Sequence, residues 1–305
     1  MQSITLQAPA KVNLQVRAGP LRDDRYHDIT LVYQAISLYD TLTITYQKGV
    51  TINISGTQSE RIPTDDANLV LKAAKALGAH VGIEPQLHFD LVKVIPTQAG
   101  LGGGSSDAAA ALVGCNILWG SNVSDDDLMA IGARLGEDVP FFIMGMMALG
   151  SGHRQPLVSL QAGAHRWNWV LGVLSVGLST KEVFGKYDQL SGQVESAKEY
   201  AINRQRCIGI SWDIHPQDLT SALVNDLEAP SVELLSEIDV ALRAGKKAGA
   251  IASLMSGSGS TCAFLAKDEA HAKDLKLELQ QATVFNDVLL ASGPVEGVRI
   301  LHEQK

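Results

Sequence analysis

Pro96-Thr97-Gln98-Ala99-Gly100-Leu101-Gly102-Gly103-Gly104-Ser105-Ser106-Asp107 is the stretch on which the reading of this chain turns. Four of the five positions from Gly100 to Gly104 are glycine, so the backbone can take φ > 0 and approach a bound group closely. Upstream, Leu87-His88-Phe89-Asp90-Leu91-Val92 alternates apolar with polar residues, as a strand does, and ends at Lys93. Downstream, Ser105 or Ser106 reads as the N-cap of a helix carrying Ala108 to Ala111, Leu112, Val113, Ile117 and Leu118. Strand, glycine loop and helix in that order make a cradle for phosphate oxygens, because the unpaired N–H groups and the dipole at a helix start both favour an anion. Two commoner phosphate loops fail on spacing. A Walker A loop needs Lys after its last glycine, and none follows here. A dinucleotide fingerprint needs a third glycine where Ser105 stands, and no acidic residue ends a strand about twenty residues on.

The 305 residues suffice for one large domain or two ordinary ones. With 25 Lys and Arg against 33 Asp and Glu, the net charge of −8 and the absence of a basic tract speak against nucleic-acid binding. No apolar run approaches the ~18 residues of a membrane span, and the alternating N-terminus MQSITLQAPAKVNL reads as a strand rather than a signal peptide. A cytoplasmic location is the expectation. Cys115, Cys207 and Cys262 lie far apart and form neither a disulfide framework nor a zinc site.

Strands are expected at Ile4–Leu6, Val12–Val16, Leu42–Tyr46 and Val50–Ile54, and a helix at 68–81 capped by Asp65 or Asp66. Ser124 and Asp127 resemble a capping box for a helix through Arg134, and Met146–Leu149 reads as a strand. The polar stretch Gly150–His165 is the expected joint between two lobes, 1–160 and 161–305. Beyond it come a strand at Trp167–Val176 and a helix from Ser179-Thr180 to Leu190. Residues 191–216 are weakly patterned. Helices at Gln217–Leu227 and Val232–Ala244 follow, then a strand at Ala250–Leu254 before the glycine-serine turn Ser256–Ser260. Mixed rather than alternating elements favour α+β.

Five separated segments carry a resemblance to a known family. They are Ala8-Pro9-Ala10-Lys11-Val12-Asn13-Leu14, Asp24-Arg25-Tyr26-His27-Asp28, the glycine loop, Leu135-Gly136-Glu137-Asp138-Val139-Pro140-Phe141-Phe142 and Ser256-Gly257-Ser258-Gly259-Ser260-Thr261. In composition, order and separation they resemble the GHMP kinases (galactokinase, homoserine kinase, mevalonate kinase and phosphomevalonate kinase) across nearly the whole chain. Arg25 and Gln98 stand where that family usually carries glycine, which bears on the local loop geometry.

The resemblance implies a two-lobe fold, an N-terminal lobe like ribosomal protein S5 and a ferredoxin-like C-terminal lobe. It implies ATP as co-substrate with Mg²⁺, and a phosphoryl acceptor that is a small alcohol. Lys11 and Asp138 become the catalytic pair, with Asp138 the base. Pro96, Thr97, Gln98, Ala99, Gly100, Leu101, Gly102, Gly103, Gly104, Ser105 and Ser106 would bind ATP, with Asn68, Leu69 and Lys93 beside its adenine. Asn13, Thr180, Gly257 and Ser258 would bind the acceptor, and Ser106 is the candidate magnesium contact. Tyr26 and His27 would supply a stacking face and a polar edge for a base, which points to an acceptor carrying a cytidine diphosphate, on the route to isoprenoid precursors. A monomer or weak homodimer is expected. The rival readings are a GHMP kinase for an acceptor without a base, and a non-catalytic nucleotide sensor on the same scaffold.

Overall fold

A computed structural model describes residues 2–23, 25–59, 62–151, 156–190, 197–213 and 215–304. Two long strands organise it. β1 (Ser3–Leu21) and β2 (His27–Tyr46) pair antiparallel from Ser3↔Thr45 to Leu21↔His27. Alternation along β1 explains the length: Ile4, Leu6, Ala8, Ala10, Val12, Leu14 and Val16 are all buried and pass three apolar clusters in turn. Lys11, Asn13 and Gln15 fall between them and point the other way, so the strand that fills the core also mounts polar groups for a site.

β3 (Val50–Ser55) follows, then α1 (Leu69–Val81), β4 (Leu87–Val92) and α2 (Gly103–Trp119). β4 adds antiparallel to the Thr41–Tyr46 end of β2, and β3 adds parallel to β4. The four buried alanines Ala108–Ala111 let α2 lie close against β1, with α1 beside it. α3 (Asp125–Gly132) and α4 (Val139–Met144) lead to β5 (Met147–Ser151), which pairs with the other half of β2, and to β6 (Val158–Ser159).

β7 (Trp167–Val173) opens a second sheet. After α5 (Thr180–Leu190) and α6 (Ala197–Ile208) comes a 3-10 turn at Pro216–Ala222, then β8 (Val224–Asn225), α7 (Glu228–Leu234) and α8 (Glu237–Lys247). β9 (Ala252–Met255), β10 (Cys262–Ala266), α9 (Glu269–Leu279) and β11 (Asp287–Gly293) complete a sheet of order β11-β7-β10-β9. β12 (Arg299–Gln304) returns to pair with β1. The architecture is the expected α+β with two sheets. The lobes interleave, however: 160 falls between β6 and β7, while β8 and β12 rejoin the first sheet from the second half. Asp24, and residues 152–155 of the expected joint, lie outside the described residues.

Several local expectations need correcting. Asn68, not Asp65 or Asp66, caps α1, its side chain accepting from Val70 N–H at 2.9 Å, because the Asp65 carboxylate is spent on the preceding turn at Ala67 N–H. α6 lies in the stretch read as unpatterned. Gln217–Leu227 is a 3-10 turn and a short strand, and Val232–Ala244 is broken between α7 and α8 where Leu235 turns extended (φ −144°). The Ser124–Asp127 capping box is present, Asp127 N–H donating to Ser124 Oγ at 3.2 Å.

Candidate active site

The residue before α2 is Gly102 at φ 73°, not a serine, and no side chain caps the helix. Main-chain bonding in α2 begins with Ser106 N–H donating to the Gly102 carbonyl at 3.0 Å. The amides ahead of it are therefore left to a ligand, as an anion-binding helix start requires. Glycine is demanded twice here. A Cβ on Gly100 (φ 75°) would collide with the Ser256 carbonyl, and one on Gly102 would stand 2.5 Å from the Phe142 ring. Gln98 (φ 53°) and Arg25 (φ 65°) take the left-handed conformation that glycine would adopt, so the two departures from the family keep the backbone path.

The loop is fastened from three sides. Lys11 N–H donates to the Leu101 carbonyl at 3.0 Å, Thr261 N–H to Ala99 at 3.3 Å, and Ser256 Oγ to Gly100 at 3.0 Å. The second glycine-serine turn thus packs directly on the first. Behind the loop, the Lys93 ammonium, 2% exposed, bridges Asp40 and Asp107 (2.6 Å), and Asp40 also accepts from the Val94 and Ile95 amides at 2.5 and 2.9 Å. One ammonium faces two carboxylates. Burial pushes Asp107 up to about 7; Lys93 opposes that shift and Asp40 adds to it.

A folded-state pKa above the ordinary 3.8 means that the native chain holds this proton more tightly than the unfolded chain does. Asp107's contribution to stability is therefore complete below that ordinary value and is lost as pH rises through about 7. Thermal unfolding between pH 5 and 8 should show this slope, and Asp107→Asn should flatten it. An unchanged slope in the variant would place its origin elsewhere.

A cleft of about 830 Å³ opens in front of the loop, with Gln98, Gly100, Gly102 and Ser105 on one wall. Lys11 and Asn13 from β1 enter it, 4% and 1% exposed, and the ammonium donates to Asn13 Oδ1. Asp138, the residue before α4, enters beside Glu137. Burial lowers the Lys11 pKa, and the Asp138 carboxylate opposes that shift. Tyr33 donates to Asp138 Oδ1 at 3.1 Å. Gly257 and Ser258 close the far wall, with Ser258 Oγ 2.9 Å from Thr180 Oγ1. The cleft continues over Val16, Ile29 and Leu31 to Phe184.

Other expected contacts do not reach the cleft. Ser106 is fully buried and its hydroxyl donates to the Pro9 carbonyl at 2.6 Å, so the inward-facing serine braces β1, and Ser105 is the one presented to the cleft. The Lys93 side chain is consumed by its two carboxylates. Asn68 and Leu69 start α1 outside the cleft wall, Leu69 beside Gly104. Tyr26 is 57% exposed and does not line the cleft. His27 is 8% exposed, its ring held between the Gly19 carbonyl (2.7 Å) and Asp188 (3.0 Å) and stacked on Phe184 at 5.2 Å. Tyr26 precedes β2, which opens at His27, and the two side chains part, one exposed and the other buried. Phe184, Glu137, Tyr33 and the Asp40–Lys93–Asp107 triad were not foreseen; each depends on contacts between distant segments.

The GHMP kinases N terminal domain matches residues 68–146 and the GHMP kinases C terminal domain matches 211–284. A 4-diphosphocytidyl-2-C-methyl-D-erythritol kinase of Nocardia farcinica is 42% identical over 98% of this chain and 96% of its own. One of Salinispora arenicola is 40% identical over 97% and 93%. The chain belongs to the GHMP kinases. A crystal structure of 4-(cytidine 5'-diphospho)-2C-methyl-D-erythritol kinase superposes on this GHMP kinase with a TM-score of 0.73 at 27% identity, covering 95% of this chain and 98% of that one. A homoserine kinase from Cytophaga hutchinsonii (TM-score 0.77, 20% identity) shares the fold. This GHMP kinase is thus an ATP-dependent phosphotransferase, and no helix among its described residues is long and apolar enough to cross a membrane.

Proposed function

We propose that the chain transfers the γ-phosphate of ATP to the C2 hydroxyl of 4-diphosphocytidyl-2-C-methyl-D-erythritol, on the route to isoprenoid precursors. The observation that carries this reading is the shared cleft, in which Lys11 and Asp138 face the glycine loop and Phe184 waits at the other end. The amides from Gly102 to Ser105 hold the phosphates. Asn13, through its tie to Lys11, orients the hydroxyl. As that oxygen bonds to the γ-phosphorus and the bond to the β-phosphate oxygen breaks, Asp138 takes the hydroxyl proton and ADP leaves. Lys11, lining the same cleft as Asp138, offsets charge on the moving group. Magnesium favours hard oxygens and few protein ligands, and the Ser105 hydroxyl with the Glu137 carboxylate is such a set on the cleft wall. The ion would neutralise phosphate charge there. Phe184 forms the base end, backed by the His27 ring stacked on it, with Thr180, Gly257 and Ser258 against the acceptor.

The test is ADP release from ATP with and without the cytidine substrate. Release that depends on it supports the assignment. Release only with an acceptor lacking a base selects a different GHMP kinase, and ATP binding without turnover of any acceptor selects a sensor. Phe184→Ala should raise KM for the cytidine substrate by about 10- to 100-fold, as loss of base stacking does, with KM for ATP unmoved. Equal KM values for that substrate in the variant and the native chain would remove Phe184 from the base site.

A further inference from the structure

Tyr33 is a buried phenol that the reaction as described leaves unused. It sits in β2 directly opposite Asn13 in β1, so the two side chains share the face that carries Lys11. It is 3% exposed, and its ring is stacked on Phe141 with centroids 4.8 Å apart and planes at 21°. Phe141 belongs to the short helix that Asp138 precedes, so the stack fixes the ring relative to that carboxylate. The hydroxyl donates to Asp138 Oδ1 at 3.1 Å. Asp138 Oδ2 has no donor among the described residues, and Asp138 lines the cleft.

We propose that Tyr33 is a positioning residue for phosphoryl transfer: its hydroxyl caps one oxygen of Asp138 and turns the other toward the acceptor hydroxyl. The inference rests on the reading of Asp138 as the base. Burial, then Asp138, pushes the Tyr33 phenol well up, so the donor keeps its proton across the working range. The charged and titratable groups around Asp138 are Lys11 from β1, Tyr33 from β2, Glu137 from its own turn and Glu182 from α5; α2 presents only Ser105. Tyr33 is the one of these that donates to Asp138 directly.

Tyr33→Phe keeps the ring and its stack and removes only the donor. The expected result is a fall in kcat of about 10- to 100-fold, the usual worth of a hydrogen bond to a charged group. KM for ATP and for the acceptor should stay near native, because neither substrate is touched. Tyr33→3-fluorotyrosine, nearly isosteric and still a donor, should keep kcat near native. That retained activity, with the unmoved KM values and the double-variant cycle, separates loss of the donor from poor folding of Tyr33→Phe.

Asp138→Asn and the double variant complete the cycle. In the Asp138→Asn background, Tyr33→Phe should cost little more, because the group it serves is gone. If Asp138→Asn is inactive while Tyr33→Phe keeps the native kcat, Tyr33 is structural and the proposal fails alone. A higher acceptor KM at native kcat in Tyr33→Phe means that Tyr33 touches substrate, which also overturns it. Native turnover by Asp138→Asn overturns the base assignment itself, and this inference with it.

Discussion

Asp138→Asn is expected to lower kcat by about 10²- to 10⁴-fold, the range usual for loss of a positioned proton acceptor, while ATP binding stays intact. The amide nearly matches the carboxylate in shape, so the cleft is not reshaped. Two properties change. The group no longer accepts the hydroxyl proton, and the charge that opposes the loss of the Lys11 proton disappears. Burial already lowers the Lys11 pKa, so the variant's ammonium should lose its proton more readily still. Both effects act on the chemical step. The phosphate cradle is built from main-chain amides and is untouched, so a fluorescent ATP analogue should bind the variant with native affinity. Steady-state kinetics with this binding measurement separate the two contributions. Weakened nucleotide binding at undiminished kcat would mean that Asp138 serves the phosphates rather than the alcohol.

The second large effect concerns stability. Lys93→Met is expected to cost about 3–5 kcal/mol, the penalty for leaving a buried charge unpaired. For a chain of this size that amounts to roughly 10 °C in Tm. The methionine fills much of the space but leaves Asp40 and Asp107 facing each other without a cation. Asp107 relieves part of the cost by holding its proton, so the loss should be larger at pH 8 than at pH 5. Asp40 also holds the Val94 and Ile95 amides just ahead of the loop, so misplacing it should raise KM for ATP as well. Thermal unfolding at the two pH values provides the check. A Tm within about 2 °C of native, less than 1 kcal/mol on the same scale, would show that the triad is not a strut.

Much of this architecture was legible in the chain, for physical reasons that can be named. Regular alternation identified β4 and β3. The glycine density of residues 100–104 marked the cradle, since few other sequences permit such backbone angles before a helix. Lys11 and Asn13, two apart in a strand, had to share a face. The failures have equally local causes. Ser105 and Ser106 looked like caps because a serine before a helix usually is one, yet the cradle needs its amides uncapped. Lys93 resembled a nucleotide contact because nothing nearby in sequence reveals its partners, which stand 53 and 14 residues away. The resemblance implies Tyr26 and His27 together, yet the structure exposes the first and buries the second against Phe184, from another part of the chain. Tyr33 carried no signal at all. Its importance arises from Asp138, 105 residues distant.

The seclusion of Lys93 and its two carboxylates has one more consequence. Dissolved ions cannot enter a space that excludes water, so added salt leaves that attraction unscreened, whereas charges at the open mouth of the cleft feel each other only over about 10 Å in 0.1 M electrolyte. The footing of the nucleotide cradle is thereby insulated from the ionic medium. Only the long-range pull on an arriving triphosphate varies with it.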